Sequence, residues 1–274
     1  MARFIRFTIG AILLSLLVSC TTNNTGIVPE DLTISEGLVN PIGFYDNSPS
    51  FSWKLPEGAQ AQIAYSIAVA SSPDLLPNKA DLWKSGKVES GQTLFVKYGG
   101  EKLNSKQKAY WQVMFWDNNG NASQWSETAS FELGLLNNSD WNAKWISIPA
   151  DQLTEIDARK SLVFRPQYMR KEIKLNSKVK SARLYVTAKG VYEAYINGQK
   201  VGTDVMSPGW TPNHTISTLT YDVTDMLNEG ENTLGAVVAE GWRAGRNNLR
   251  STKKVLEHTP SLLYQLEIEN TDGT

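Results

Sequence analysis

One cysteine and two histidines in 274 residues leave little material for thiol or metal chemistry. Cys20 has no partner for an internal disulfide, and His214 with His258 are too few for a multi-histidine metal site. The formal net charge is −1, which gives no electrostatic reason to expect a nucleic-acid partner. No G-x-S-x-G, Walker, G-x-G-x-x-G or H-E-x-x-H phrase occurs, so the chemistries that those phrases mark are without their signatures. The apolar stretch 7–18 is too short to span a bilayer as a helix, which takes about 20 residues.

What the chain does have is apolar and aromatic. An apolar fraction of 41% is ample for packed cores, and the length suits about two domains. Nine tryptophans and ten tyrosines fit the core of a β-sandwich. They also fit carbohydrate platforms, because the C–H faces of sugars stack on aromatic rings.

The N-terminus reads as an address. Arg3 and Arg6 form a positive n-region, 7–18 is the apolar h-region, and Leu17-Val18-Ser19-Cys20 has the form of a bacterial lipobox. Its cysteine becomes the acylated first residue, so Cys20 is the expected lipidation site. Several acyl chains, at roughly 0.8 kcal/mol per buried methylene, anchor a protein stably. Thr21 follows the cysteine rather than an aspartate, which points to the outer membrane, on either face. Residues 1–19 are then the signal peptide and 20–30 a lipidated polar tether.

Short alternating runs separated by turn residues fill 31–136, the pattern of a β-sandwich. Strands are expected from Pro49 through Trp53 and over 64–70, 94–98, 109–116 and 129–133. Tyr65, Ile67 and Val69 share one face, opposite Ser66, Ala68 and Ala70. Trp111, Val113 and Phe115 point inward. Asp117-Asn118-Asn119-Gly120 reads as a turn and lacks the ligand series of a calcium loop. A boundary falls at 137–140, just before Trp141 and Trp145, which are expected to pack between domains because two exposed tryptophans would form a sticky patch. Polar 151–166 reads as a loop.

Beyond it, 169–175 is strand-like, with Arg170, Lys171, Glu172 and Lys174 on its wet side. Leu184 and Val186, then Tyr192, Ala194 and Ile196, recur at period two, and Asn197-Gly198 is a two-residue hairpin turn. Asp222 opens a helical turn that Gly230 and Asn232 close before a strand at 234–239. In 261–270, Leu262, Tyr264, Leu266 and Ile268 share a face. Asp272-Gly273 then opens a hairpin turn at the last residues, so the chain reads as a fragment: a truncated frame, an incomplete gene model or a split gene.

The phrases YINGQKVG, PGWT, YDVTDML, GENTLG and GW, in that order across 184–242, resemble the N-terminal β-sandwich of bacterial α-L-rhamnosidases. PSFSW, YSIAVASS, LWKSGKV, YWQVMFWDNNG and WSETASFELG resemble the fibronectin type III-like domain that opens those enzymes. The WNAKWI phrase resembles the family's seam between the two. The likeness runs from about Leu32 to the end. It implies an all-β fold of two tandem sandwiches, fibronectin type III-like over 31–136 and jelly-roll-like over 137–274, the second cut short at its C-terminal end.

The resemblance also implies that catalysis resides elsewhere. The family carries its catalytic carboxylates on a large α/α toroid that follows the β domains, and nothing in this sequence corresponds to it. Glycoside hydrolysis needs two carboxyl groups flanking the bond. Glu193 and Glu240 are the tempting pair, but sequence supplies no reason for them to converge. Relatives of the second domain bind L-rhamnose with calcium holding the sugar diol, which implies a rhamnose-containing glycan as partner, with calcium as the one ion to consider and no cofactor required. Candidate sugar contacts are Asn197, Trp210, Trp242, Arg243 and Asn247, with Asp204 and Asn248 as candidate metal ligands. Asn197 is equally a turn former, Trp210 and Trp242 equally plugs of the sandwich ends, and Arg243 stands where the family commonly has an aromatic. Two functions follow: the non-catalytic N-terminal part of an exported α-L-rhamnosidase, partnered by its catalytic domain, or a stand-alone membrane-tethered rhamnose-binding lipoprotein.

Overall fold

Period-two alternation builds two β-sandwiches in tandem in the structure, a computed structural model that describes residues 26–156, 162–212, 215–244 and 259–274. In the first sandwich a five-stranded sheet runs in the order Ile42–Phe44, Ala129–Leu133, Lys108–Asp117, Gln62–Ala70, Trp83–Lys84. A three-stranded sheet, in the order Glu30–Ile34, Ser50–Lys54, Val96–Lys97, packs across from it. Trp111, Val113 and Phe115 are fully buried, as their alternation requires. Phe51 crosses from the smaller sheet to lie 4.6 Å from the Trp111 ring and 6.3 Å from Phe131. Buried Trp53 donates its indole N–H to Gln62 Oε1 at 3.1 Å, and the Gln62 amide donates onward to the carbonyls of Ser90 and Gln92. Trp53 tolerates burial because its polar tip is satisfied in this way, whereas the buried Trp111 indole N–H finds no hydrogen-bond partner among the described residues.

Three details differ from expectation. Ser66, Ala68 and Ala70 are buried along with Tyr65, Ile67 and Val69, so this strand is covered on both faces; small residues, not charged ones, line its second face. The strand expected over 94–98 shrinks to Val96–Lys97, because Phe95 sits at φ +53 and leaves the extended region. Short strands at Ile42–Phe44 and Trp83–Lys84 carry too few residues for a visible period, and Glu30–Ile34, five residues long, does not alternate between buried and exposed positions. The Asp117 turn is as expected. Its Oδ1 accepts the amides of Asn121 and Asn119, at 2.8 and 2.9 Å, and these bonds hold the carboxyl below its ordinary pKa.

The second sandwich pairs a four-stranded sheet, in the order Gln167–Leu175, Gly230–Ala239, Val191–Ile196, Gln199–Lys200, with a three-stranded one, Leu219–Asp222, Val179–Lys189, Ser261–Asn270. Leu184, Val186, Tyr192, Ala194 and Ile196 are buried between them. Asn197 and Gly198 take φ of 52 and 80, the two positive values that a tight hairpin turn demands, and Ile196 pairs with Gln199. The helical turn after Asp222 is three residues, Thr224–Met226. The following strand starts at Gly230, four residues earlier than its apolar period suggests. Buried Asn232 explains the difference: its carboxamide binds the backbone of Asn228 and Gly230, so a polar residue holds a core position. The stretch expected as a loop over 151–166 contains a short hairpin, Thr154–Ile156 with Leu162–Phe164, after a four-residue helix.

The two sandwiches are stapled together. Arg183 forks onto Glu132 across the joint, Nε to Oε1 at 2.6 Å and Nη2 to Oε2 at 2.8 Å, and its Nη1 lies 2.9 Å from Asp222. The Glu132 and Arg183 side chains are only 7% and 16% exposed, and the pairing holds the guanidinium pKa above its usual value. Lys106 reaches Glu267 at 3.0 Å. Gly43 lies so close to Thr220 that a Cβ there would come within 2.4 Å of its hydroxyl oxygen.

The linker clips both sides. Asp140 Oδ2 accepts the Ser105 hydroxyl at 2.6 Å, while Gln265 accepts the amides of Asn142 and Ala143 and donates to the Asp140 carbonyl. Trp141 packs edge-on against Tyr185. Trp145, expected in the same role, is 38% exposed with Lys189 Nζ 4.9 Å over its ring, so it caps the second sandwich instead of the joint.

The joint is expected to weaken in acid. Bonds from Ser105 and Asn137 hold the Asp140 carboxyl below its ordinary pKa. Burial opposes ionisation of Asp222, but Thr224 and Arg183 more than offset it and lower that pKa also. Carboxyls depressed in the folded state stabilise it above the unfolded value of about 3.9 and lose that contribution as pH falls through their folded values. Melting temperature should therefore drop below about pH 4, less steeply in Asp140→Asn; equal acid slopes for variant and parent would remove Asp140 from the effect.

Candidate functional site

At one end of the second sandwich the chain leaves Val179–Lys189 and enters Val191–Ile196 through the single residue Gly190. Ala188, Gly190, Pro208, Trp210, Trp242 and Arg243 meet there around a shallow depression of about 20 Å³. Trp210 is 60% exposed, and Trp242, in the short helix Gly241–Ala244, is half-buried. Trp145 lies at the same end, over Lys189.

The described part of the loop that carries Trp210 is tied down by hydrogen bonds. Tyr192 and Val201 donate backbone N–H to Ser207 and Ala194 at 2.8 Å. The Tyr221 hydroxyl donates to Asp204 Oδ2 at 3.0 Å, and the Gly209 amide closes a turn onto Met206. Arg243 Nη2 donates to the carbonyls of Pro212, at 3.0 Å, and Thr215.

The structure thus brings together three of the residues singled out from sequence: Trp210, Trp242 and Arg243. Arg243, through its carbonyl contacts, ties the short helix to the segment that follows Trp210. Asn197 is not part of the group. It sits at the far end of Val191–Ile196, about 20 Å along the strand, and its amide is spent on Met226, Asn232 and Thr233. Its bonds serve the turn, the role its sequence position beside Gly198 also suggested. Asp204 is exposed and bonded to Tyr221. Asn247, Asn248 and Cys20 lie outside the described residues, as do His214 and His258.

An exposed indole beside a glycine-proline turn presents a flat apolar face suited to stacking against a sugar ring. The depression is too small to enclose one. Of the two expected calcium ligands, Asp204 accepts the Tyr221 hydroxyl and Asn248 lies outside the described residues; among the described residues no three His, Cys, Asp or Glu side chains group together. The two carboxylates considered for hydrolysis have different partners. Glu193 pairs with Lys200 at 2.8 Å and accepts the Tyr195 hydroxyl at 2.6 Å, which lowers its pKa; Glu240 accepts the Phe164 amide at 2.5 Å. Lys189 and Gly190 escaped the sequence reading, although Gly190 does interrupt two alternating runs. Trp145 carries no signal for its place at this end.

Comparison with known proteins gives this architecture its context. Residues 29–137 match the model of the Rha78A-like, N-terminal immunoglobulin domain, and 177–274 that of the alpha-L-rhamnosidase N-terminal domain. An alpha-L-rhamnosidase from Formosa agariphila is 48% identical over 261 residues, and one from Alteromonas sp. 42% over 267; each alignment covers 94% of this chain. The solved structure of the alpha-L-rhamnosidase from Dictyoglumus thermophilum superposes with a TM-score of 0.78 at 30% identity over 93% of the chain. The chain spans about 28% of the length of each of these three relatives. It is therefore built from the N-terminal immunoglobulin-like domain and the N-terminal domain of the alpha-L-rhamnosidases.

Proposed function

We propose that this chain is the non-catalytic N-terminal part of an exported α-L-rhamnosidase, an enzyme that releases terminal L-rhamnose from glycans. Its two sandwiches support and orient the catalytic domain. The observation that carries this reading is the stapled joint: a scaffold must hold a fixed shape, and the fork of Arg183 on Glu132 with the clipped linker supplies one. Residues 21–274 alone should show no turnover of an aryl α-L-rhamnoside. Joined to the polypeptide that follows the matched segment in the Formosa agariphila relative, the same residues should support turnover. Hydrolysis by residues 21–274 that survives replacement of Glu193 and Glu240 would overturn the assignment.

The export half of the proposal rests on the lipobox at Cys20, acylated to tether the protein at the outer membrane. Labelled fatty acid should enter the parent and not Cys20→Ser; equal labelling would remove the anchor.

A second reading, a membrane-tethered rhamnose-binding protein, is favoured by exposed Trp210. It predicts calorimetric binding of L-rhamnose that is lost in Trp210→Ala and weakened in Trp242→Ala. Binding that survives both replacements would take the sugar elsewhere, and no binding by the parent would end this reading.

A further inference from the structure

Beside the fork of Arg183 on Glu132 the two sandwiches leave a hollow of about 570 Å³ between them. Sites that enclose a small molecule run from about 300 to 1,000 Å³ and favour domain interfaces. The depression at the tryptophan end, at about 20 Å³, falls far below that range.

The walls are the outward faces of two sheets, one from each sandwich. In Lys108–Asp117 the core takes Ala109 and Trp111, so Lys108 and Tyr110 point the other way. In Val179–Lys189 the core takes Ala182 and Leu184, which turns Arg183 and Tyr185 outward. The neighbouring strand sets Glu267 opposite Arg183 and Glu269 opposite Ser181. A sandwich standing alone would leave all of these in water. Here they face one another across a gap, and Tyr185 is only 2% exposed.

The polar groups of the hollow are held in place but not all spent. Arg183 is locked on Glu132, Lys106 on Glu267 at 3.0 Å, and Lys180 on Glu269 at 2.6 Å. Such pairs fix the wall before a ligand arrives, which lowers the cost of binding. Glu269 accepts a single bond at each oxygen, from Lys180 and from the Ser181 hydroxyl, where a carboxylate offers about four acceptor sites. Lys108 holds its ammonium 5.3 Å over the Tyr110 ring. Among the described residues it makes no ion pair, and its charge acts on Asp222 from further off. Its donors are therefore available. Half-buried Tyr110 and Ile268 add apolar surface.

Charge decides the class of ligand. Every carboxylate in the wall has a cation beside it, and Lys108 is answered at a distance by Asp222, so neither an anion nor a cation is favoured. Spare donors and spare acceptors next to aromatic rings suit a neutral, compact ring that carries both kinds of group, which is a pyranose with neighbouring hydroxyls. We propose that the joint hollow is a carbohydrate-binding site for a neutral sugar unit of the glycan, with Lys108 and Glu269 bonding its hydroxyls and Tyr110 and Ile268 against its C–H face. This rests on the reading of the chain as part of a rhamnosidase. A sugar held there touches both sandwiches at once and stiffens the joint.

Calorimetry with a neutral L-rhamnose oligosaccharide on the full chain tests it. Binding should weaken about tenfold in Tyr110→Ala and several-fold in Lys108→Gln, and should be unchanged in Trp210→Ala. Lys108 is exposed, so its replacement leaves the fold intact. As a measurement without substitution, acetylation of Lys108 read by mass spectrometry should slow when the oligosaccharide is added. Acetylation of Lys87, which also lies over an aromatic ring, should not change. No binding by the parent overturns the proposal, and so does binding that survives both Tyr110→Ala and Lys108→Gln. Loss in Trp210→Ala alone overturns it too, by moving the sugar to the tryptophan end. A Formosa agariphila chimera, joined as described above, that hydrolyses rhamnoside while the oligosaccharide leaves Lys108 unprotected refutes the hollow and spares the functional reading. Protection of Lys108 in a chimera without turnover does the reverse.

Discussion

Replacement of Arg183 by alanine is expected to cost about 3–5 kcal/mol, the usual penalty for leaving a buried charge without its partner. Glu132 is only 7% exposed at its side chain, and Arg183 supplies both of its charged hydrogen bonds. For a protein of this size the loss corresponds to a fall on the order of 10 °C in melting temperature. The converse change, Glu132→Ala, should cost less, because Arg183 keeps Asp222 at 2.9 Å on its more exposed side. Replacing both residues by apolar ones of similar volume should recover much of the stability, since the desolvation cost of the two ions disappears together with their attraction. Calorimetry on the three variants would decide the matter. A single Arg183→Ala transition within about 1 kcal/mol of the parent, the range of an exposed pair, would show that the fork is ornamental and the joint is held by packing alone.

Gly190→Ala is the second large effect. Gly190 takes φ +151, and an ideal Cβ there would lie 2.1 Å from the Ala239 carbonyl oxygen. The obstacle is backbone, held in register by the pairing of Val191 with Ala239, so no side chain can rotate away to make room. Backbone strain at such a position costs of order 1–3 kcal/mol, and the overlap adds to it by prising the strand ends apart. The second sandwich should lose at least about 3 kcal/mol, the upper end of that strain alone, while the first unfolds as before. The damage should extend to the tryptophan end, since Gly190 lines the same depression as Trp210 and Trp242. Gly235→Ala is the control: it sits in the strand paired with Val191–Ile196, and its nearest neighbour would be 3.6 Å from the new carbon, an ordinary contact. Equal stability of the two variants would contradict the geometry assigned to Gly190.

Strand identity was legible wherever the period-two pattern ran for five residues or more. The run containing Trp111, Val113 and Phe115 needed only its alternation, and Asn197-Gly198 needed only the positive φ that its turn requires. Legibility failed where a polar residue took a core position, as at Asn232, and where strands were two or three residues long. At the candidate site, sequence chemistry singled out Trp210, Trp242 and Arg243 one by one, and the fold places the three around one depression. Sequence left Asn197 open between turn and ligand, and the side chains of Asn197 and Arg243 both bind their own backbone surroundings. Hydrogen-bonding capacity is a property of the residue type. Which partner claims it depends on what the fold brings close.

The same division runs through the whole protein. Sequence alone determined the all-β character, the two-sandwich order, the turn chemistry and the family likeness, because each depends on residues near one another along the chain. Only the tertiary structure decided the joint, its hollow and the tryptophan end. Arg183 meets Glu132 across 51 positions, Gln265 meets the linker across more than 120, and Trp145 finds Lys189 rather than the neighbouring domain. Such contacts are fixed by how two sheets stack and where a linker crosses an edge, and no local period or spacing encodes that geometry.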